Sequence, residues 1–293
     1  MNKKLKGNLI LLFTAIIWGS GFVCQSIGMD HIGANTFMGL RTLLGALVLL
    51  PVIAVSGKNK EKASAGDRKT LITGGIVCGI ILCVASTTQT IGIKYTTAAN
   101  SGFITAMYII FVPFLGLFMR KNINLRTGIG ALLAVAGLYM LSVAGTGFKI
   151  NKGDLITLLC AILFAFHILA VDYFSPKTDG IKLSCLQFFV CAFINIIMML
   201  IFEKPTVSII KECWIPIAYS GIVSCGIGYT GQIIGQKYTD PAPAAILMSM
   251  ESVFAAIGGF LILHESLSTI KIIGCAVMFA AIVIVQLPAK KTK

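Results

Sequence analysis

The chain has 293 residues, of which 57% are hydrophobic and 12% charged, with a mean hydropathy of +0.91; a soluble domain carries about 25% charged residues, so this composition belongs in lipid. A hydrocarbon core about 30 Å thick takes about 20 residues per helix, so ten spans would use about 200 residues and leave no room for a separate soluble domain. The net charge of +13 does not mark a nucleic-acid binder, because the basic residues sit between apolar runs and at the termini, where membrane topology accounts for them.

In chain order, windows of about 19 residues place apolar runs at 8–27, 35–55, 71–93, 102–119, 128–145, 154–174, 183–202, 214–235, 244–263 and 270–287. These are spans 1 to 10 of an expected all-α integral membrane protein. The first run continues through Trp18 and Gly19 to Ile27 and lacks an A-x-A cleavage site, so it is expected as a retained helix. Ser56 to Thr70, with Lys58, Lys60, Lys62, Arg68 and Lys69, is expected as a solvated loop. With the N-terminus inside, 17 Lys and Arg fall on the cytoplasmic side and 6 on the other, which predicts both termini in the cytoplasm. The nine cysteines are odd in number, lie mostly in apolar runs and form no C-x-x-C, so they are expected as packing residues, with neither a disulfide nor a metal.

The chain repeats itself. Gln89-Thr-Ile-Gly92-Ile-Lys94-Tyr95-Thr96 recurs as Gln232-Ile-Ile-Gly235-Gln-Lys237-Tyr238-Thr239 at an offset of 143. Gly7, Leu9, Ile10 and Leu12 reappear as Gly153, Leu155, Ile156 and Leu158 at 146; Met107 meets Met250 and Phe111 meets Phe254 at 143. The expected halves are residues 1–147 and 148–293. Each holds five spans, an odd number, so the second copy enters the membrane from the opposite face. Ten transmembrane helices arranged as two inverted five-helix repeats supply two nearly equivalent packings, the basis of alternating access.

Ionisable groups inside spans are costly, at roughly 2.5 to 3.5 kcal/mol each on insertion scales, and point to function or to a buried partner. Glu251, about 10 Å inside span 9 by helical rise, is expected as a proton or substrate site, against the alternative of a buried glutamate held by helix hydrogen bonds. Arg41 in span 2 aligns with Gln187, which favours a structural bonding position shared by both halves. His167 in span 6 is expected near the depth of Glu251, with structural and functional readings both open. Trp18 and its counterpart Phe164 each fall about 15 Å from opposite faces, so both are expected near the bilayer centre. Tyr108 aligns with Glu251 and could donate a hydrogen bond to a substrate where the carboxylate cannot. The polar run Ser86 to Thr90 is expected to line a wet vestibule, with Gln89 mirrored by Gln232.

Other chemistry is poorly supported. There is no G-x-x-x-x-G-K-[ST] phosphate loop, no H-E-x-x-H and no G-x-S-x-G, and the three histidines, His31, His167 and His264, are scattered. Neither an enzyme nor a cofactor is expected, and energy for transport would come from gradients.

Trp18-Gly19-Ser20-Gly21-Phe22, together with Met250-Glu251-Ser252-Val253-Phe254-Ala255-Ala256 running into Leu263-His264-Glu265-Ser266-Leu267 and Gly274, resembles the drug/metabolite transporter superfamily, EamA branch. The resemblance covers essentially the whole chain. It implies a ten-helix bundle of two inverted five-helix repeats that exports amino acids or other small metabolites from a bacterial cell; together with Glu251, the expected function is a bacterial inner-membrane exporter with protons as the candidate coupling ion. Passive facilitation and multidrug efflux are the alternatives on the same fold. The chain departs from the family pattern at Ser252, where proline is frequent, and at Lys121, which takes the repeat position of Glu265.

Overall fold

The computed structural model describes residues 2–56, 65–96, 98–119, 124–142, 151–262 and 268–286. A chain this apolar has to satisfy its backbone internally when it sits in lipid, and helices do so within one segment. The described residues accordingly form α1 (Lys3–Met29), α2 (Ala34–Ser56), α3 (Ala65–Ile93), α4 (Ala98–Thr105), α5 (Tyr108–Phe118), α6 (Leu125–Ser142), α7 (Lys152–Phe174), α8 (Gly180–Met198), α9 (Val207–Glu212), α10 (Trp214–Ala218), α11 (Thr230–Gln236), α12 (Pro241–Met248), α13 (Glu251–Ile262) and α14 (Thr269–Gln286). Spans 1, 2, 3, 5, 6 and 10 are α1, α2, α3, α6, α7 and α14. Span 7 is α8 continued by a wide π-helical turn, Met199–Glu203, and span 8 is α10, a π-helical stretch Tyr219–Tyr229, and α11.

Seven helices among the described residues are long and apolar enough to cross a membrane, and Leu125–Leu141 is a shorter apolar one. Large apolar side chains such as Phe13, Leu132, Phe193 and Phe279 are exposed along them, as lipid-facing surfaces require. Most of the loop expected over Ser56 to Thr70, the 147/148 boundary, Lys121 and the Leu263-to-Leu267 motif lie outside the described residues; α3 begins inside that loop, at Ala65.

Helix directions follow from which residues meet. In α1 and span 8, Gly7 lies against Gly235 and Trp18 against Gly228, so the two run antiparallel. Span 8 runs parallel to α2, with Gly221 on Arg41 and Leu44, and Gly226 on Val48. α2 opposes α8, with Gly39 on Ile196 and Gly45 near Phe188. α8 runs with α3, with Gly75 on Leu186 and Gly79 on Val190, and α3 opposes α7, with Gly92 on Thr157 and Gly74 on Phe174. Taking α1 as up, α2 and span 8 are down, α8 and α3 are up, and α7 is down. The first three spans of one half therefore each oppose their counterparts in the other, as two inverted five-span repeats require.

The halves interleave, each lending its third span to the first span of the other. A Cβ on Gly7 would lie 2.9 Å from the Gly235 carbonyl oxygen, and one on Gly153 would lie 2.8 Å from the Gly92 carbonyl oxygen. Beside these crossings, Thr239 Oγ1 donates to Asn8 Oδ1 at 3.0 Å and Thr96 Oγ1 to Asp154 Oδ1 at 2.6 Å. The repeated Tyr-Thr pair is thus a docking point used twice. Asp154 also completes a capping box with Asn151 at the start of α7.

Spans 4 and 9, expected as continuous helices, each bend midway. Met107 N–H donates to Ile104 O and Ile109 N–H to Ala106 O, at 3.1 and 3.0 Å; Met250 N–H donates to Leu247 O and Ser252 N–H to Ser249 O, at 3.3 and 3.2 Å. These bonds to the third preceding residue tighten one turn and split the span. They match bond for bond at the repeat offset. Discontinuous helices at corresponding positions of inverted repeats are the usual builders of a site near the midplane.

Candidate functional site

The two bends line a cavity whose empty space is about 550 Å³ when the part open to solvent is included. α1 supplies Trp18, Gly21, Phe22 and Gln25, whose spacing puts them on one helical face. α7 supplies Phe164 and Ile168, and span 8 supplies Ser224, Tyr229 and Gln232. Arg41 of α2 and Gln89 of α3 reach the same space, and the bends contribute Thr105, Tyr108, Met248 and Glu251.

Each half therefore delivers its bend to the centre, and the two meet there. Tyr108 begins α5 and Glu251 begins α13; both are 4% exposed, and the Tyr108 hydroxyl donates to Glu251 Oε1 at 3.4 Å. The expectation of Glu251 deep in a continuous span is corrected: it occupies the first turn of a half-helix, where the helix dipole favours its negative charge.

The aromatic wall is built by small residues behind it. Trp18 and Tyr229 have ring centroids 4.7 Å apart at 55°, and Trp18 Nε1 donates to the Ser224 carbonyl oxygen at 3.4 Å. A Cβ on Gly228 would lie 2.7 Å from that nitrogen, so glycine is what admits the indole. At the repeat positions of Trp18 and Gly228 stand Phe164 and Ala85, a smaller ring paired with a larger backbone residue. Polar groups are fixed in turn. Gln89 Nε2 donates to Thr105 Oγ1 at 3.1 Å, Gln25 Nε2 to Thr90 Oγ1 at 2.8 Å and Gln232 Nε2 to Gln236 Oε1 at 2.9 Å, and Gln232 Oε1 has no protein partner.

The structure brings Trp18, Arg41, Gln89, Tyr108, Phe164, Gln232 and Glu251 to one cavity and leaves His167 out. His167 is fully buried beside Tyr229, the two ring centroids 6.3 Å apart at 79° and its Nε2 3.1 Å from Gln187 Oε1. Arg41 and Gln187 do not share a role: the guanidinium lines the cavity, 5.8 Å from the Phe37 ring, whereas Gln187 joins α8 to α7 through His167. From the run Ser86 to Thr90 only Gln89 lines the cavity; Ser86 and Thr90 are buried, and Thr87 bonds Asn195 Oδ1 at 2.9 Å.

Sequence reasoning missed Tyr229, Gln25, Thr105 and Met248. Thr105 and Met248 are repeat counterparts two residues before the matched Met107 and Met250, so extending that register would have found them. Tyr229 aligns with Ser86, a residue of unlike size, and left no such signal. Among the described residues no group of three or more His, Cys, Asp or Glu could hold a metal ion.

Comparison with known proteins agrees with this architecture. The pattern of the EamA-like transporter family matches residues 5–143 and 151–287, one match on each half. An uncharacterized transporter of Archaeoglobus fulgidus is 29% identical over 286 residues, covering 97% of this chain and 87% of that protein. The uncharacterized transporter YoaV of Bacillus subtilis is 22% identical, covering 95% and 96%. A solved protein structure shares the fold with a TM-score of 0.80 at 17% identity, covering 97% of this chain and 99% of its own. With both halves matched across nearly the whole length, the chain belongs to the EamA-like transporter family.

Proposed function

We propose that the chain exports amino acids or related small metabolites across a bacterial inner membrane by alternating access, coupled to protons, with both termini in the cytoplasm. The observation that carries this reading is the contact between Tyr108 and Glu251, the matched first residues of two bent spans, in the wall of a cavity between inverted repeats. Exchange of conformations between the repeats would open that cavity to one face and then the other.

Within the cavity Glu251 takes the coupling proton or a substrate ammonium group. Arg41 faces the same space, and among the described residues no ion pair joins it to Glu251, so each is open to an opposite charge on a zwitterion. Trp18, Phe164 and Tyr229 supply the apolar wall, and Gln89 and Gln232 supply amide groups that orient a bound molecule. His167 packs beside Tyr229.

The test is flux of a mixed metabolite pool through liposomes containing the purified protein, with and without a pH gradient. Accumulation of an amino acid or similar compound against its gradient supports the proposal. Equilibration without accumulation identifies a passive facilitator, and export of bulky apolar cations alone identifies a drug carrier. For topology, reporters fused at both ends are expected to report the cytoplasm, on the basis of the 17-to-6 bias in Lys and Arg. A C-terminal reporter active only on the outer side overturns that orientation.

A further inference from the structure

Two helix starts related by the repeat are capped in different ways. At the start of α8, Asp179 stands at the N-cap and its Oδ1 accepts from the backbone N–H groups of Ile181 and Lys182 at 3.0 and 3.2 Å. The equivalent residue before α2 is Gly33, which has no side chain to offer. Its place is taken from the other repeat. Glu203, at the end of span 7, accepts from Asn35 N and Asn35 Nδ2, both at 2.9 Å, on Oε1, and from Thr36 N at 2.7 Å and Thr36 Oγ1 at 2.6 Å on Oε2. Asn35 and Thr36 are the repeat counterparts of Ile181 and Lys182, so the same two N–H groups are satisfied by a carboxylate in both halves.

The fit is tight. A Cβ on Gly33 would fall on the Glu203 carboxyl carbon, so glycine leaves the space that the incoming carboxylate fills. On the span 7 side, the wide turn Met199–Glu203 is closed by Lys204, which has a φ of 43° and donates its N–H to Met199 O at 2.9 Å. A left-handed lysine is uncommon, and this one ends the helix directly after the capping residue. α2 and span 7 lie antiparallel along their length, one from each repeat, and α2 carries Arg41 into the cavity five residues beyond Thr36.

We propose that Glu203 is a positioning residue that caps α2 from the opposite repeat and, by fastening α2 to span 7 at one end of the bundle, biases the alternation toward conformers that keep these two elements together there. The asymmetry is the informative part. A cap within one helix, as at Asp179, stabilises that helix in every conformer. A cap that crosses between repeats stabilises only conformers that keep the two elements together, and so shifts a population. The proposal rests on the alternating-access reading, and its test runs on the protein itself, with no substrate.

Hydrogen–deuterium exchange of the full chain in lipid nanodiscs separates the two kinds of cap. Glu203→Ala is expected to speed exchange of the first-turn amides of α2 about tenfold, the size of a lost cap. Glu203→Ala with Gly33→Asp recreates at α2 the arrangement that Asp179 makes at α8, and is expected to restore those amides while leaving residues 198–204 exchanging at least about threefold faster than in the parent. Restoration of residues 198–204 in the double variant would show a purely local cap and overturn the proposal, as would unchanged α2 exchange in Glu203→Ala. Glu203→Gln keeps the length and one acceptor oxygen. It covers the case in which the alanine variants fail to insert: intermediate protection supports the proposal, and parental protection at both sites overturns it.

Discussion

Glu251→Gln is expected to leave the protein folded and inserted while reducing pH-driven flux to that of protein-free liposomes. The carboxamide has the size of the carboxyl group, and its oxygen can still accept from the Tyr108 hydroxyl now 3.4 Å from Glu251 Oε1, so packing at the two bends is kept. What is removed is a proton-binding group and a negative charge at the start of α13. Among the described residues the other charged or titratable groups lining the cavity are Arg41, Tyr108 and Tyr229, with His167 beside Tyr229, and none of these is a second carboxylate that could take over. Substrate exchange without a pH gradient divides the two roles proposed for Glu251. Exchange survives in the Gln variant when the carboxylate serves the proton, and is lost as well when it holds a substrate ammonium. Tyr108→Phe, which removes only the donor, is expected to slow flux and keep its pH dependence. Parental rate and parental pH dependence in Glu251→Gln would make Glu251 a structural residue and end the coupling proposal.

Helices were legible because lipid leaves one way to satisfy the backbone, and their count and inversion followed from apolar length and an odd number of spans per repeat. The bends were not legible. No proline or glycine lies at Ala106 to Tyr108 or at Ser249 to Glu251, and the tightened turns show only as bonds to the third preceding residue. The repeat register was nonetheless enough to pair Tyr108 with Glu251 and Trp18 with Phe164, since symmetry carries matched positions to the same depth. It failed where the halves have diverged. Arg41 and Gln187 are aligned but turn to different neighbours, and Tyr229 has a serine as its counterpart. His167 lies at the expected helix but on the face toward α8, a distinction of rotation that depth alone cannot make. The carboxylate of Glu203 was invisible for a related reason: its partner helix is distant in sequence, and the glycine that admits it looks like any other glycine of a membrane helix.

Gly137→Val is expected to cost about 1 to 3 kcal/mol of stability, because α6 and α14 touch backbone to backbone at this point. A Cβ on Gly137 would lie 2.8 Å from the Gly274 carbonyl oxygen, and one on Gly274 would lie 2.8 Å from the Gly137 carbonyl oxygen and 2.9 Å from the Leu141 nitrogen. Close approach of this kind is how small residues hold helices together in lipid, where apolar side chains gain nothing by leaving their surroundings. Gly274→Val should cost a similar amount, and the double variant less than the sum, since either valine alone already wedges the same crossing apart. Repeat symmetry sets the scale for a smaller change. At offset 144 Gly130 corresponds to Gly274 and Ala281 to Gly137, and the Gly130 Cβ position lies 3.2 Å from the Ala281 carbonyl oxygen. The mate crossing thus already accommodates a methyl group where Gly137 has none, so Gly137→Ala is expected to be milder than Gly137→Val. Gly128, with nothing within 4 Å of its Cβ position, is the control and should accept alanine without loss. Thermal unfolding in detergent reads all five variants, and melting of Gly137→Val at the parental temperature would contradict the crossing. Among the described residues none that lines the cavity comes from α6 or α14, so surviving variants should keep the parental substrate preference; a changed preference would mean that this crossing also shapes the cavity.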